Sequence, residues 1–160
     1  MQFIEKYIKW LGQKASLFNI LLIGVIVLDV LLRYLFSNTK NWVLELEWHI
    51  YAIIFLLGIS YALQEDEHVR VDLFYQKYTK KQKAWLNIIG HIVFLIPWCY
   101  VVLHTAFTYG LNSFSFSERS PNPGGLPMRY VIKFFIFLGF LMFLIQGISN
   151  IFKNIKEIRS

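Results

Sequence analysis

With 56% hydrophobic and only 16% charged residues among 160, this chain lacks the polar surface to cover a water-soluble core; globular domains carry about 25% charged residues. Its formal charge of +6 does not point to nucleic acid, because the Lys and Arg residues sit between and beyond apolar runs, where lipid headgroups are the nearer partner. A single cysteine, Cys99, inside an apolar run excludes a disulfide framework and a cysteine-based metal cluster.

The first expected element is amphipathic. Over 2–14, Ile4, Ile8 and Leu11 recur at helical spacing beside Phe3 and Tyr7, while Glu5, Lys6, Lys9 and Gln13 take the other face. That pattern predicts a helix lying in the headgroup plane. The apolar run at 17–36 begins too far from the start, and runs too long, for a signal-peptide core of about 7–15 residues, so it is expected to stay as a span.

Three more runs reach the roughly 20 apolar residues that a hydrocarbon core about 30 Å thick requires, at 43–63, 85–110 and 130–152. Lipid offers the backbone no hydrogen bonds, so each run must be a helix. An all-α integral membrane protein with four transmembrane helices follows. Between the second and third spans, over 64–84, Val71, Phe74, Tyr75 and Tyr78 repeat a helical pattern beside Lys77, Lys80 and Lys81, which predicts a short helix on the membrane surface. The segment 111–129 is different in kind, because Ser120, Pro121, Asn122, Pro123, Gly124, Gly125, Leu126 and Pro127 make a shaped turn. A tail, 153–160, closes the chain.

Orientation follows from the cations of the connecting segments. Eleven lie on one side, at Lys6, Lys9, Lys14, Arg70, Lys77, Lys80, Lys81, Lys83, Lys153, Lys156 and Arg159, against Lys40, Arg119 and Arg129 on the other. Both termini are therefore expected in the cytoplasm, with 111–129 outside.

Intramembrane charge is the first place to look for chemistry. Asp29 and Arg33 are four apart and able to pair on one helix face. A structural pair is favoured over an ion or substrate pathway, since Arg33 is close enough to the helix end to snorkel. Glu45, Glu47 and His49 open the second span, where carboxylates complement a helix N-terminus and Asn41 offers a cap; a proton relay is the alternative. His91 and His104 are thirteen residues apart, about 220° around a helix, so they do not line one seam for haem. No zinc-ligand cluster, nucleophile with its base, or phosphate loop is recognisable, and no cofactor is expected. Gly58 with Ala62 and Ala106 with Gly110 offer small-residue packing positions, and Pro97 is expected to bend the third span. There is no internal repeat of the kind that builds a carrier from two halves.

From Arg33 to Asp72 the order is Arg33 and Tyr34, then Trp42 and Glu45, Gly58, and finally His68, Val69, Arg70, Val71 and Asp72. This order resembles the small membrane subunit of tripartite ATP-independent periplasmic (TRAP) transporters. Glu118, Ser120, Pro123, Gly124, Gly125, Leu126 and Pro127 are similar to the outer-loop pattern of one branch of that family. The resemblance implies a non-catalytic scaffold in the bacterial inner membrane. It would support a large sodium-coupled transport subunit that imports an organic acid delivered by a periplasmic binding protein. It also implies that Trp42, Glu45, Glu118, Arg129 and the 123–127 turn lie where the binding protein docks. The substrate, whether sialic acid, a dicarboxylate or an aromatic acid, would be chosen by other chains. The rival readings are a self-contained small homo-oligomeric transporter or channel, and a haem-carrying membrane anchor.

Overall fold

The structure, a computed structural model, describes residues 2–37, 40–65, 75 and 77–159, without the side chains of residues 2–4. Four helices account for most of them: α1 (Gln2–Phe36), α2 (Asn41–Gln64), α3 (Lys80–Ser115) and α4 (Tyr130–Arg159). Each is long and apolar enough to cross a bilayer, and each contains one of the runs predicted from sequence. His68, Asp72 and most of the surface helix expected over 71–78 lie outside the described residues.

One expectation is corrected. Residues 2–14 do not form a helix separate from the first span, because α1 runs unbroken for 35 residues, about 52 Å at 1.5 Å per residue. Nothing in Gln13, Lys14, Ala15 and Ser16 stops a helix. Of the apolar stripe read as membrane-seeking, Ile8 and Leu11 instead pack within the protein, where Ile8 and Ala15 join Leu57 of α2 and Met142 of α4 in a buried cluster backed by Leu11 and Ile53, while Tyr7 stays exposed.

The helices stand in a row rather than a closed ring. α1 packs on α2, α2 on α4, and α4 on α3, while α1 meets α4 only along its N-terminal part, through Glu5 and the cluster around Ile8. Burial follows that order. Within the most apolar stretch of each helix, 33% and 39% of residues are buried in α2 and α4, against 11% and 17% in α1 and α3. The two central helices thus have neighbours on both sides, and the edge helices present long apolar faces such as Ile20, Ile23 and Val27 or Phe94, Trp98 and Tyr100.

In lipid the hydrophobic effect does not drive helices together, so close packing and interhelical hydrogen bonds must do it. Gly139 lets α4 approach α2 so closely that a Cβ there would sit 2.7 Å from the Leu56 carbonyl oxygen. Gly110 of α3 receives the Phe134 ring, and Gly147 of α4 receives the Leu95 side chain. Ala106 is buried as its pairing with Gly110 suggested, whereas a Cβ on Gly58 would meet open space. Pro97 is accommodated by a π-helical turn at His91–Leu95, in which the Ile96 amide donates to the His91 carbonyl. The wider turn absorbs the hydrogen bond that proline cannot make.

Candidate functional site

Polar chemistry collects at the two ends of the row. At the end bearing 116–129, the organising group is Glu45, one turn into α2 and 4% exposed. Its Oε1 accepts hydrogen bonds from Ser120 Oγ and from Asn122 Nδ2 at 3.0 Å, and its Oε2 accepts from the Leu126 amide at 2.6 Å. The loop folds to meet it. Ser120 N donates to the Leu126 carbonyl at 3.1 Å, Gly125 N to Asn122 O at 3.0 Å, and Ser120 Oγ also accepts from Asn122 N. Gly124 takes φ of +72°, a left-handed conformation that costs glycine little. A Cβ on Gly125 would lie 2.8 Å from Glu45 Oε1 and collide with Ser120.

Asn41 does not cap α2 as expected. The N-cap is Lys40, which makes no side-chain cap, and Asn41 is the first helical residue. Its Nδ2 reaches across to the Pro123 carbonyl at 2.8 Å. A second tie lies one layer out, where the Lys133 ammonium pairs with Glu118 and sits 3.7 Å from the centre of the Tyr109 ring. Glu118 is held below the usual carboxylate range, first by hydrogen bonding with Lys133 and then with Ser113. Arg129 lies over the Trp48 ring at 5.8 Å. Trp42 is 42% exposed, and Arg119 and the Pro121–Gly124 tip are open.

Asp29 and Arg33 do pair, with Arg33 Nη2 donating to Asp29 Oδ2. Sequence reasoning missed what stands beside them. Glu47 of α2 is close enough for both charges to act on it, and Asp29 Oδ1 and Glu47 Oε1 are buried with no hydrogen-bond partner. His49 Nδ1 faces the Glu45 carbonyl, and its ring lies against Trp48.

The lysine-rich end is held differently, by many separate ties between distant parts of the chain. Lys9 of α1 pairs with Glu65 just past α2 at 2.8 Å. Glu5 accepts from Ser149 Oγ at 2.6 Å and pairs with Lys153 at 3.0 Å. Asn150 Nδ2 donates at 3.2 Å to the Leu63 carbonyl, one of the last-turn carbonyls that α2 leaves without a helical partner. Asn87 joins α3 to Asn154 of α4 and to Tyr75. None of the α4 amides was singled out from sequence. Their signal was Gln146, Asn150 and Asn154 at intervals of four on one face of an otherwise apolar helix.

The groups converging on Glu45 are hydrogen-bond donors that it already satisfies, and among the described residues no three His, Cys, Asp or Glu side chains group to hold a metal ion. What the arrangement does is fix a loop to a helix and helices to each other. A family model described as the DctQ component of tripartite ATP-independent periplasmic transporters matches residues 22–157. The chain belongs to that family. Two relatives from Haemophilus influenzae agree. The sialic acid TRAP transporter permease protein SiaT of strain 86-028NP is 26% identical over 115 residues, covering 72% of this chain and 17% of its own length. A putative TRAP transporter small permease protein of strain ATCC 51907 / DSM 11121 / KW20 / Rd is 28% identical over 103 residues, covering 64% of this chain and 63% of its own length. The chain thus spans less than two thirds of the length of each of these relatives. Family membership and four candidate spans make this a multi-pass membrane protein of the TRAP small permease type.

Proposed function

We propose that this chain is a non-catalytic scaffold for a larger polytopic transport subunit, and that the pair imports an organic acid delivered by a periplasmic binding protein. The single observation that carries the reading is the open row of helices. A route for a polar solute needs walls on all sides, and alternating access needs two bodies that rock about a shared site. Four helices side by side provide neither by themselves, but they provide a broad apolar face for another membrane protein to rest on. The coupling ion, taken to be sodium, would then be bound by the larger subunit.

Both termini are placed in the cytoplasm and the Glu45-centred loop on the opposite side of the inner membrane, on the strength of eleven cations against three. Trp42, Arg119, Arg129 and the Pro121–Gly124 tip then face the compartment from which a loaded binding protein arrives. Glu45 holds the docking surface in shape and does not itself touch the visitor.

Reconstitution into proteoliposomes tests the reading. Uptake is expected only with the larger subunit and a binding protein present, and the chain alone is expected to give neither uptake nor conductance nor a Soret band. Solute movement through the chain alone would overturn it. Charge reversal at the exposed Arg119 should weaken uptake while leaving co-purification with the larger subunit intact; unchanged uptake would remove the docking role.

A further inference from the structure

At the lysine-rich end a cavity of about 390 Å³ opens between α3 and α4 and under the last turn of α2. Three cations line it, Lys80 and Lys83 from the start of α3 and Lys153 from α4, against one carboxylate, Glu157. Lys153 also pairs with Glu5, and Lys83 lies over the Tyr75 ring at 5.0 Å, so two of the cations are already oriented. The cavity reaches from Lys80 to His91, eleven residues or about 16 Å along a helix. Lys80 and Lys83 precede the apolar run at 85–110 and His91 lies inside it, which assigns the mouth to headgroup level and the floor to the apolar layer.

That floor carries two acceptors with nothing to accept. His91 is 8% exposed, its Nδ1 faces the Asn87 carbonyl, and its Nε2 has no partner. A carbonyl opposite Nδ1 calls for the ring proton there, so in the neutral tautomer Nε2 is an acceptor with no donor facing it. Gln64 Oε1 at the end of α2 is likewise buried and unpartnered. Buried polar atoms are nearly always satisfied by protein, water or ligand. An occupant that fits both features bears a phosphate for the lysines and hydrogen-bond donors for His91 and Gln64. A free inorganic phosphate carries hydroxyl donors but is too small to reach from the lysines at the mouth to His91 and Gln64 on the floor. A phosphodiester lipid with a hydroxyl or ammonium group on its headgroup meets both, and lipid is the medium surrounding the cavity.

We propose that this cavity is a binding site for one phospholipid of the leaflet at the lysine-rich end, whose phosphate sits among Lys80, Lys83 and Lys153 and whose headgroup donors face His91 and Gln64. The lipid would join α3 to α4 where Asn87 and Asn154 make only a long contact of 3.5 Å. This site does not rest on the transporter reading, and it is measured on the chain itself.

Native mass spectrometry of the purified full chain, exchanged into mixed micelles with defined lipids, tests the site. Phosphatidylglycerol or phosphatidylethanolamine should remain as a one-to-one adduct, and phosphatidylcholine, which has phosphate but no headgroup donor, should not. The double variant Lys80→Ala with Lys83→Ala should lose at least about tenfold in adduct abundance, while Lys77→Ala, outside the cavity, should lose none. His91→Phe should narrow the preference over phosphatidylcholine. Millimolar inorganic phosphate should leave the adduct in place. Equal retention by the double variant, equal retention of phosphatidylcholine, or displacement by inorganic phosphate would each overturn the proposal. Thermal melting and circular dichroism of each variant separate lost binding from lost folding.

Discussion

The two ends of the helix row are stabilised by opposite strategies. At the loop end one buried carboxylate, Glu45, gathers three donors from the 120–126 segment, so most of that segment's side-chain ties converge on one residue, with Asn41 to Pro123 and Lys133 to Glu118 beside it. At the lysine-rich end the ties are dispersed, with Lys9 to Glu65, Glu5 to Ser149 and Lys153, and Asn150 to Leu63 each joining a different pair of segments. A centralised site holds a precise surface but fails at a single point. A dispersed one tolerates the loss of any member, as suits helix ends that extend past the apolar layer into water and headgroups.

The largest test of that contrast is Glu45→Ala, which leaves the Leu126 amide and two side-chain donors without their acceptor. A loss of about 3 kcal/mol is expected, given 1.5–3 kcal/mol for a hydrogen bond to a charged group. Proteolytic cutting within 116–129 should rise sharply while the helices remain intact; a loop as resistant as before would show that it folds without Glu45. Next comes Gly139→Val, between the ends, where the added side chain meets the Leu56 carbonyl and should cost about 2 kcal/mol through overpacking. Its melting temperature should fall without any change in loop proteolysis.

Glu118 sharpens the comparison through pH. Its carboxyl is held below its ordinary value by Lys133 and Ser113, so the stability it contributes is fully present above the ordinary carboxylate range. That contribution is lost as pH falls through the lowered folded value. The gap in melting temperature between the native chain and Glu118→Gln should accordingly be open at pH 7 and close below about pH 4. A constant gap would mean the ion pair is not what stabilises. Smallest of all is Lys9→Ala, which removes one exposed pair from the dispersed end. Its melting curve should overlay the native one, and a clear shift would show that this end too has a keystone.

The spans were legible in the sequence because length and apolarity belong to each helix alone. The stripe of Ile8 and Leu11 was legible as a stripe but not by its target, since headgroups and neighbouring helices select the same pattern. Glu45 and the Ser120–Pro127 run each stood out, yet nothing local shows that a carboxylate 75 residues from Ser120 is the group around which the loop closes. Lys133 stands near the start of the run at 130–152, and only tertiary structure brings Glu118 and the Tyr109 ring to it. Family membership then agrees with what the motif order suggested, although the placement of His68 and Asp72 is outside the described residues.

The π turn at His91–Leu95 bears on more than Pro97. Upstream, α3 buries Ala84, Ile88 and His91, and downstream Cys99, Ala106, Gly110 and Ser113. Most steps in that series are three, four or seven residues, which keep an α-helix in phase, but the step from His91 to Cys99 is eight. In unbroken α-helix it would rotate the second set by about 80°, turning Cys99 and Gly110 off α4 and into lipid. One surplus residue taken up in the wider turn cancels most of that rotation. Straightening that turn into plain α-helix with every residue kept would thus leave the composition of α3 unchanged, yet twist half of it out of alignment with its neighbour.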